Sequence, residues 1–186
     1  MHTRSFLAAV LLTAASTLAA DTFKVDPVHS FVWFTAHHAG AGYSGGRFNA
    51  MSGEMTLDAA DPAANKFMLE IKTDSVDNAN EKRDGHLKSP DWFNAKQYPT
   101  ITFKSTAVEK TDDTTLKVTG DLMLHGVTKS ISFPLKLTGR GEFPAGTKRA
   151  GVLAEFKVNM SEFGIKGMPG AVGDEIKLMV SLEGTM

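Results

Sequence analysis

The sequence predicts an all-β fold, an eight-stranded antiparallel barrel with a short helical insert. Three observations predict it. Apolar residues recur at every second position in run after run, and a period of two puts them all on one face of a strand. The connections between runs are short and rich in Gly, Pro, Asp and Asn, which favours antiparallel neighbours. Only one stretch, 76–99, breaks the alternation. Closing such strands into an up-and-down barrel removes exposed sheet edges; an open sandwich is the alternative.

The elements follow in order. A short segment, 23–25, precedes a strand at 30–38, where Val32, Phe34 and Ala36 are expected to face inward and Phe31 and Trp33 outward. Gly42 to Gly46 read as a turn. Strand 47–58 offers Phe48, Gly53, Met55 and Leu57 to the interior, and a turn at Asp61-Pro62 leads to strand 66–73 with Phe67, Leu69 and Ile71. In the interruption, Asn78 with Glu81 three residues on makes a capping box, so a helix is expected over 79–88, weakened by Gly85 and stopped by Ser89-Pro90. Trp92 and Phe93 then bring apolar bulk into a polar loop, which is expected to fold back over the barrel.

Strand 100–109 carries Ile101, Phe103, Ser105 and Ala107 inward, and Asp112-Asp113 turns it into strand 115–125 with Leu116, Val118, Gly120, Leu122 and Leu124. His125-Gly126 is the next turn. Strand 129–139 contributes Ile131, Phe133, Leu135 and Leu137, and after a turn at Pro144 to Gly146 strand 149–160 contributes Ala150, Val152, Ala154, Phe156 and Val158. A longer connection, 164–173, precedes strand 174–184 with Ile176, Leu178, Val180 and Leu182.

Alternation alone does not say which face is inside. An outer-membrane barrel has the same period, but it needs aromatic girdles, and this chain has two Trp and two Tyr that do not gather at strand ends. Its polar face carries Lys66, Lys72, Lys104, Lys117, Lys136, Lys157 and Lys177, which suits water better than a narrow lumen. The soluble orientation is therefore expected. Twenty basic against 21 acidic residues, interspersed, give no basic footprint for nucleic acid.

His2 and Arg4 precede an apolar run that small residues extend to Ala20, the shape of a secretory signal peptide with cleavage after Ala19. The expected division is thus 1–19 signal peptide and 20–186 barrel domain. The chain has no cysteine, which excludes disulfides and thiolate sites and suits export to a bacterial periplasm.

An eight-stranded barrel either fills its interior with side chains or holds one small ligand. Gly53, Gly120, Ser105, Ala107, Ala150 and Ala154 are small inward positions that leave room, unless large neighbours fill it. Both readings stand at this point.

Five segments, in order and across nearly the whole chain after residue 20, resemble the YceI-like, polyisoprenoid-binding family of periplasmic proteins. They are Phe23-Lys24-Val25-Asp26-Pro27-Val28-His29-Ser30, Arg83-Asp84-Gly85-His86-Leu87-Lys88-Ser89-Pro90-Asp91-Trp92-Phe93, Tyr98-Pro99-Thr100-Ile101-Thr102-Phe103, Gly120-Asp121-Leu122-Met123-Leu124-His125-Gly126-Val127-Thr128-Lys129 and Ser161-Glu162-Phe163-Gly164-Ile165-Lys166. Each motif is weak alone; five in register are specific. The resemblance implies a lipocalin-like barrel with a long apolar cavity for an isoprenoid or other amphiphilic lipid, a periplasmic address and frequent dimerisation. It implies no uniform catalytic residues. Pro90 and Trp92 depart from the smaller or Phe-like residues usual there, so the lining near that loop is expected to differ.

The cavity wall is accordingly expected from Val32, Phe34, Phe48, Phe67, Leu69, Ile71, Trp92, Phe93, Ile101, Phe103, Leu122, Leu124, Phe133, Ala154, Phe156 and Leu178. Arg83 is the candidate for a phosphate head group, against the plainer role of a local salt bridge or an anchor of the helix to the barrel. No cofactor or metal is expected. His37 and His38, adjacent on a strand, point to opposite faces, His29 is expected to hydrogen-bond Asp26 in a turn, and His125 sits in a hairpin turn. No Ser-His-Asp grouping or phosphate loop is present. The function expected is a periplasmic lipid carrier. The rivals are a hydrolase or isomerase of such lipids acting through His29, Arg83 or Asp84, and a fully packed stress-response barrel. Met68, Met123, Leu153 and Met179 fall on the outer face, where gathered apolar residues would serve a homodimer.

Overall fold

The computed structural model describes residues 20–186, so the expected signal peptide at 1–19 lies outside the described residues. Among the described residues, eleven strands form one sheet: β1 (Asp21–Val25), β2 (Phe31–His38), β3 (Gly42–Phe48), β4 (Met51–Leu57), β5 (Lys66–Lys72), β6 (Val76–Asp77), β7 (Thr100–Lys110), β8 (Thr115–Leu124), β9 (Val127–Glu142), β10 (Lys148–Asn159) and β11 (Val172–Thr185), with one α-helix, α1 (Glu81–Leu87). Antiparallel pairing runs β1-β4-β5-β7-β8-β9-β10-β11 and returns to β1 through Lys24–Thr185 and Val25–Gly184, a closed eight-stranded barrel.

On the edge away from β10, the long strand β11 serves two partners. Its C-terminal end closes on β1, and its earlier residues, from Val172 to Ser181, pair with β2. β1 with β2, and β3 with β4, thus act as two long strands, each bent near its middle. Both bends are held by specific contacts. At the first, Ser30 Oγ takes the Glu183 N–H at 3.0 Å, and His29 Nδ1 donates to Asp26 Oδ2 at 2.7 Å, the turn bond expected from the sequence. At the second, Asn49 N–H reaches the Ser75 carbonyl at 3.1 Å.

Arg149 completes the first bend by donating to both Asp26 and Glu183. The His29 bond, the Val28 N–H and Arg149 hold the Asp26 carboxyl below its ordinary pKa. A carboxylate lowered in the folded state contributes stability that is present above its unfolded pKa and lost as pH falls through the folded one. Asp26→Asn is therefore expected to lower the urea midpoint at pH 7, by a margin that narrows as pH falls from 7 into the acid range and the wild-type carboxylate takes up its proton. Parallel midpoint curves for the two proteins across that whole range would contradict it.

Inside and outside follow the alternation, with the outer lysines 66, 72, 104, 117, 136, 157 and 177 exposed. Val32 and Ala36 are buried, while Phe31 and Trp33 stack on the outer wall with centroids 4.7 Å apart. Phe23 and Met55 fill one end of the barrel almost without exposure, under Arg140, whose guanidinium lies 5.5 Å from the Phe23 ring and binds Asp21 at 2.6 Å.

Four expectations are corrected. Gly42 to Gly46 are not a turn but the first part of β3, paired with β2 from His38–Gly42 to Val32–Phe48. The turn is Ala39-Gly40, both at positive φ (51° and 66°), the twist that joins a tight hairpin. The glycines serve close approach, since a Cβ on Gly46 would stand 2.9 Å from the Phe34 ring. Ala107 points outward, because a bulge between Ser105 and Ala107 rephases β7 and buries Val108 instead. The helix is capped by Asn80, whose side chain accepts from Arg83 N–H at 3.0 Å, not by Asn78. The outer apolar residues form two separate groups: Met68 pairs with Lys104 and Met123 with Thr102, whereas Leu153 and Met179 lie across β10 and β11 beside Trp33.

Candidate ligand cavity

The insert does fold over the barrel. Trp92 is buried and its Nε1–H donates to His86 Nε2 at 3.2 Å, which ties loop to helix. Phe93 N–H binds the Leu87 carbonyl at 3.0 Å, and its ring meets Phe34 and Phe48 edge-on at 5.9 and 5.5 Å. Beneath this cap, and reaching far down the barrel, lies a cavity of about 610 Å3.

Every wall position expected from the sequence borders that cavity. Val32 and Phe34 reach it from β2, Phe48 from β3, Phe67, Leu69 and Ile71 from β5, and Ile101 and Phe103 from β7. Leu122 and Leu124 of β8, Phe133 of β9, Ala154 and Phe156 of β10 and Leu178 of β11 complete the barrel side, with Trp92 and Phe93 above. Phe133 stacks on Phe156 at 4.4 Å and meets Phe103 at 5.3 Å, so the aromatic residues pack on one another along one side of the wall. The barrel is not filled by side chains.

The reason given for that space needs correction. Of the six small inward positions, only Ala154 borders the cavity. A Cβ on Gly120 would lie 2.5 Å from both the Lys104 carbonyl oxygen and the Phe103 ring, and one on Gly53 would strike the Met68 carbonyl. These glycines let neighbouring strands and rings close in. Ser105 accepts the Phe67 N–H at 3.0 Å, Ala107 is outside, and Ala150 is packed away from the space.

The mouth lies where the β2–β3 hairpin, α1 and the loop before β11 meet, and it carries residues that alternation did not single out: His38, Tyr43, Asn78, His86 and Met168. His38 and Tyr43 stand where β2 and β3 meet at their hairpin, His86 lies on α1, and Asn78 and Met168 lie on loops, so no single apolar period runs through them. Tyr43 is 66% exposed and Met168 48%, with the Lys177 ammonium 4.9 Å from the Tyr43 ring. Arg83 borders the mouth. Asp84 is not its partner: Asp84 Oδ1 accepts the Asn78 N–H at 2.8 Å, and among the described residues the Arg83 guanidinium makes no ion pair.

Among the described residues, His29 and Asp84 do not border this space, and His37 packs against Tyr43 on the outer side while His38 borders the mouth. Asp26, His29 and Glu183 stand close enough together to hold a cation, but Arg149 already donates to both carboxylates, so the place is taken by a guanidinium. Among the described residues no helix is long and apolar enough to cross a membrane.

A family model described as the YceI-like domain matches residues 23–184. Protein YceI of Escherichia coli O157:H7 is 42% identical over 179 residues, 95% of this chain and 93% of that protein. The crystal structure of BcnA from Burkholderia cenocepacia superposes with a TM-score of 0.78 at 23% identity, covering 86% of this chain and 98% of BcnA. A polyisoprenoid binding domain from Saccharophagus degradans superposes at 0.69 with 17% identity, covering 87% and 97%. At those identities the two structures speak to the fold.

Proposed function

The chain belongs to the YceI-like family, and from that premise we propose that it is a periplasmic carrier that encloses the chain of a polyisoprenoid or similar amphiphilic lipid. One observation carries the reading: a cavity of about 610 Å3, walled by aliphatic and aromatic side chains, runs inside a barrel whose exterior is studded with lysine. Such a space is predominantly apolar and rewards buried length. Each methylene removed from water contributes about 0.8 kcal/mol, so roughly two methylenes are worth a factor of ten in affinity. The name of the Saccharophagus degradans domain supports an isoprenoid chain as the occupant.

Catalysis on the same lipids is the weaker reading. Of the residues it would use, His29 is engaged with Asp26 away from the cavity and Asp84 holds the Asn78 backbone, leaving only Arg83 of the three at the mouth. The mature form in this reading is 20–186, exported on residues 1–19.

Native mass spectrometry of protein purified from its own periplasm, followed by organic extraction, tests the proposal. The expected result is a protein beginning at Ala20 that carries a non-covalent lipid mass, released unchanged by solvent. Recovery of an empty barrel only, or of a heat-modifiable form in the outer membrane, would reject it.

A further inference from the structure

The cavity is stopped at the end away from its mouth, and the strands show where. Met55 borders it on β4 but the next inward residue, Leu57, does not. The same step separates Val118 from Leu116 on β8 and Val152 from Ala150 on β10, although Leu116 and Ala150 are buried on the same inner face. Exposure falls away at this level. Leu182 keeps 7% and Phe67 and Leu135 keep 5%, whereas Val118 and Val152 keep 1% and Met55 none. Phe67, Leu135 and Leu182 are therefore the last surfaces a guest in the cavity can touch, and all three are apolar.

Met55 plugs the space behind them. It pairs with Phe67 on one side and Phe23 on the other. Its end reaches as far as β11, where a Cβ on Gly184, two residues past Leu182, would stand 2.8 Å from Met55 Cε. Unbranched and flexible, methionine fills irregular gaps of this kind. From outside, Arg140 seals the same end: it lies over the Phe23 ring and donates to Asp21 at 2.6 Å and to the Leu57 carbonyl at 3.2 Å.

We infer that this floor is a chain-length stop. The lipid enters tail first, its polar end stays at the mouth among His38, Arg83 and His86, and Met55, packed behind Phe67 and Leu182, sets how far the tail goes. The inference rests on the carrier reading above. The permitted length follows from the strands. Val172 at the mouth and Leu182 at the floor both border the cavity, ten residues apart on β11. At about 3.3 Å per residue and a strand tilt of about 40°, that is a depth of roughly 25 Å. An extended carbon chain with bonds of about 1.5 Å advances roughly 1.3 Å per atom, so the stop falls at about 20 carbons.

Straight-chain primary alcohols from dodecanol to hexacosanol, in steps of two carbons, read that length when competed against cis-parinaric acid on the delipidated mature protein. Affinity is expected to rise about tenfold per step up to about 20 carbons and to stay flat beyond. Met55→Ala is expected to carry the break outward by about two to four carbons, since the surroundings close only part of the space it leaves. Leu182→Phe raises the floor and is expected to bring the break inward by about as much. Opposite shifts from two buried positions are not what a general loss of stability produces. Where Met55→Ala does not fold, the wild-type break and Leu182→Phe decide. An unbroken climb to hexacosanol, or a break that neither folded variant moves, overturns the chain-length stop and leaves the carrier reading intact. Binding of no alcohol in the series overturns both.

Discussion

Replacing Gly120 by leucine is expected to unfold the barrel wall, not to narrow its cavity. Gly120 lies mid-strand in β8, paired with Ser105 on one side and Ile131 on the other. The first atom of any side chain there would stand 2.5 Å from the Lys104 carbonyl oxygen and from the Phe103 ring. The ring can turn; the carbonyl belongs to a strand that β5 and β8 hold from both sides. Overpacking in cores costs about 1 to 3 kcal/mol, and a clash with paired backbone belongs at or above the upper end. For a domain of this size that is a fall in melting temperature of roughly 6 °C or more. A melt within a degree of the parent would show that β7 and β8 separate far more easily than their register implies.

That glycine marks a limit of reading a fold from a pattern. Period-two alternation says which way a residue points, and it placed the walls of β5, β8, β9, β10 and β11 on the correct face. It cannot say what a missing side chain is for. At Gly45, Gly46, Gly53 and Gly120 the absence lets strands or rings approach, and composition does not distinguish this from empty space. Alternation also fails wherever the count slips. The bulge after Ser105 puts Val108 inside in place of Ala107; the break at Asn49 is a second slip, across which Phe48 and Met55 face inward as expected although they differ in parity. The glycines of β3 resembled a turn because a strand that packs against Phe34 through bare backbone has no apolar period to show.

The site divides in the same way. Its apolar wall was legible, because wall residues are the inward half of ordinary strands. Its mouth was not. Asn78 reads in sequence as a helix cap, two residues too early. His86 on α1 and Trp92 on the loop after it come together through a bond across six positions, which no periodicity records.

Ala154→Phe is expected to do what Gly120→Leu cannot: empty the cavity of lipid and leave the barrel standing. Ala154 is buried, pairs with Leu135 and Val180, and borders the cavity beside Val152 and Phe156. A phenyl ring at this position is directed toward the space that Ala154 borders, near the Phe133–Phe156 stack. It displaces several methylenes of any bound chain, and at about 0.8 kcal/mol each the loss exceeds tenfold in affinity. Part of that apolar contact is replaced by the ring itself, so the melting temperature of the lipid-free protein is expected to move by only a few degrees. Lipid extracted per mole of protein and lipid-free melting temperature, measured side by side for the parent and both variants, separate the two effects. Full lipid occupancy in Ala154→Phe would mean the chain lies elsewhere, and a collapse in stability equal to that of Gly120→Leu would mean the position is packed in the lipid-free protein, as a filled barrel requires.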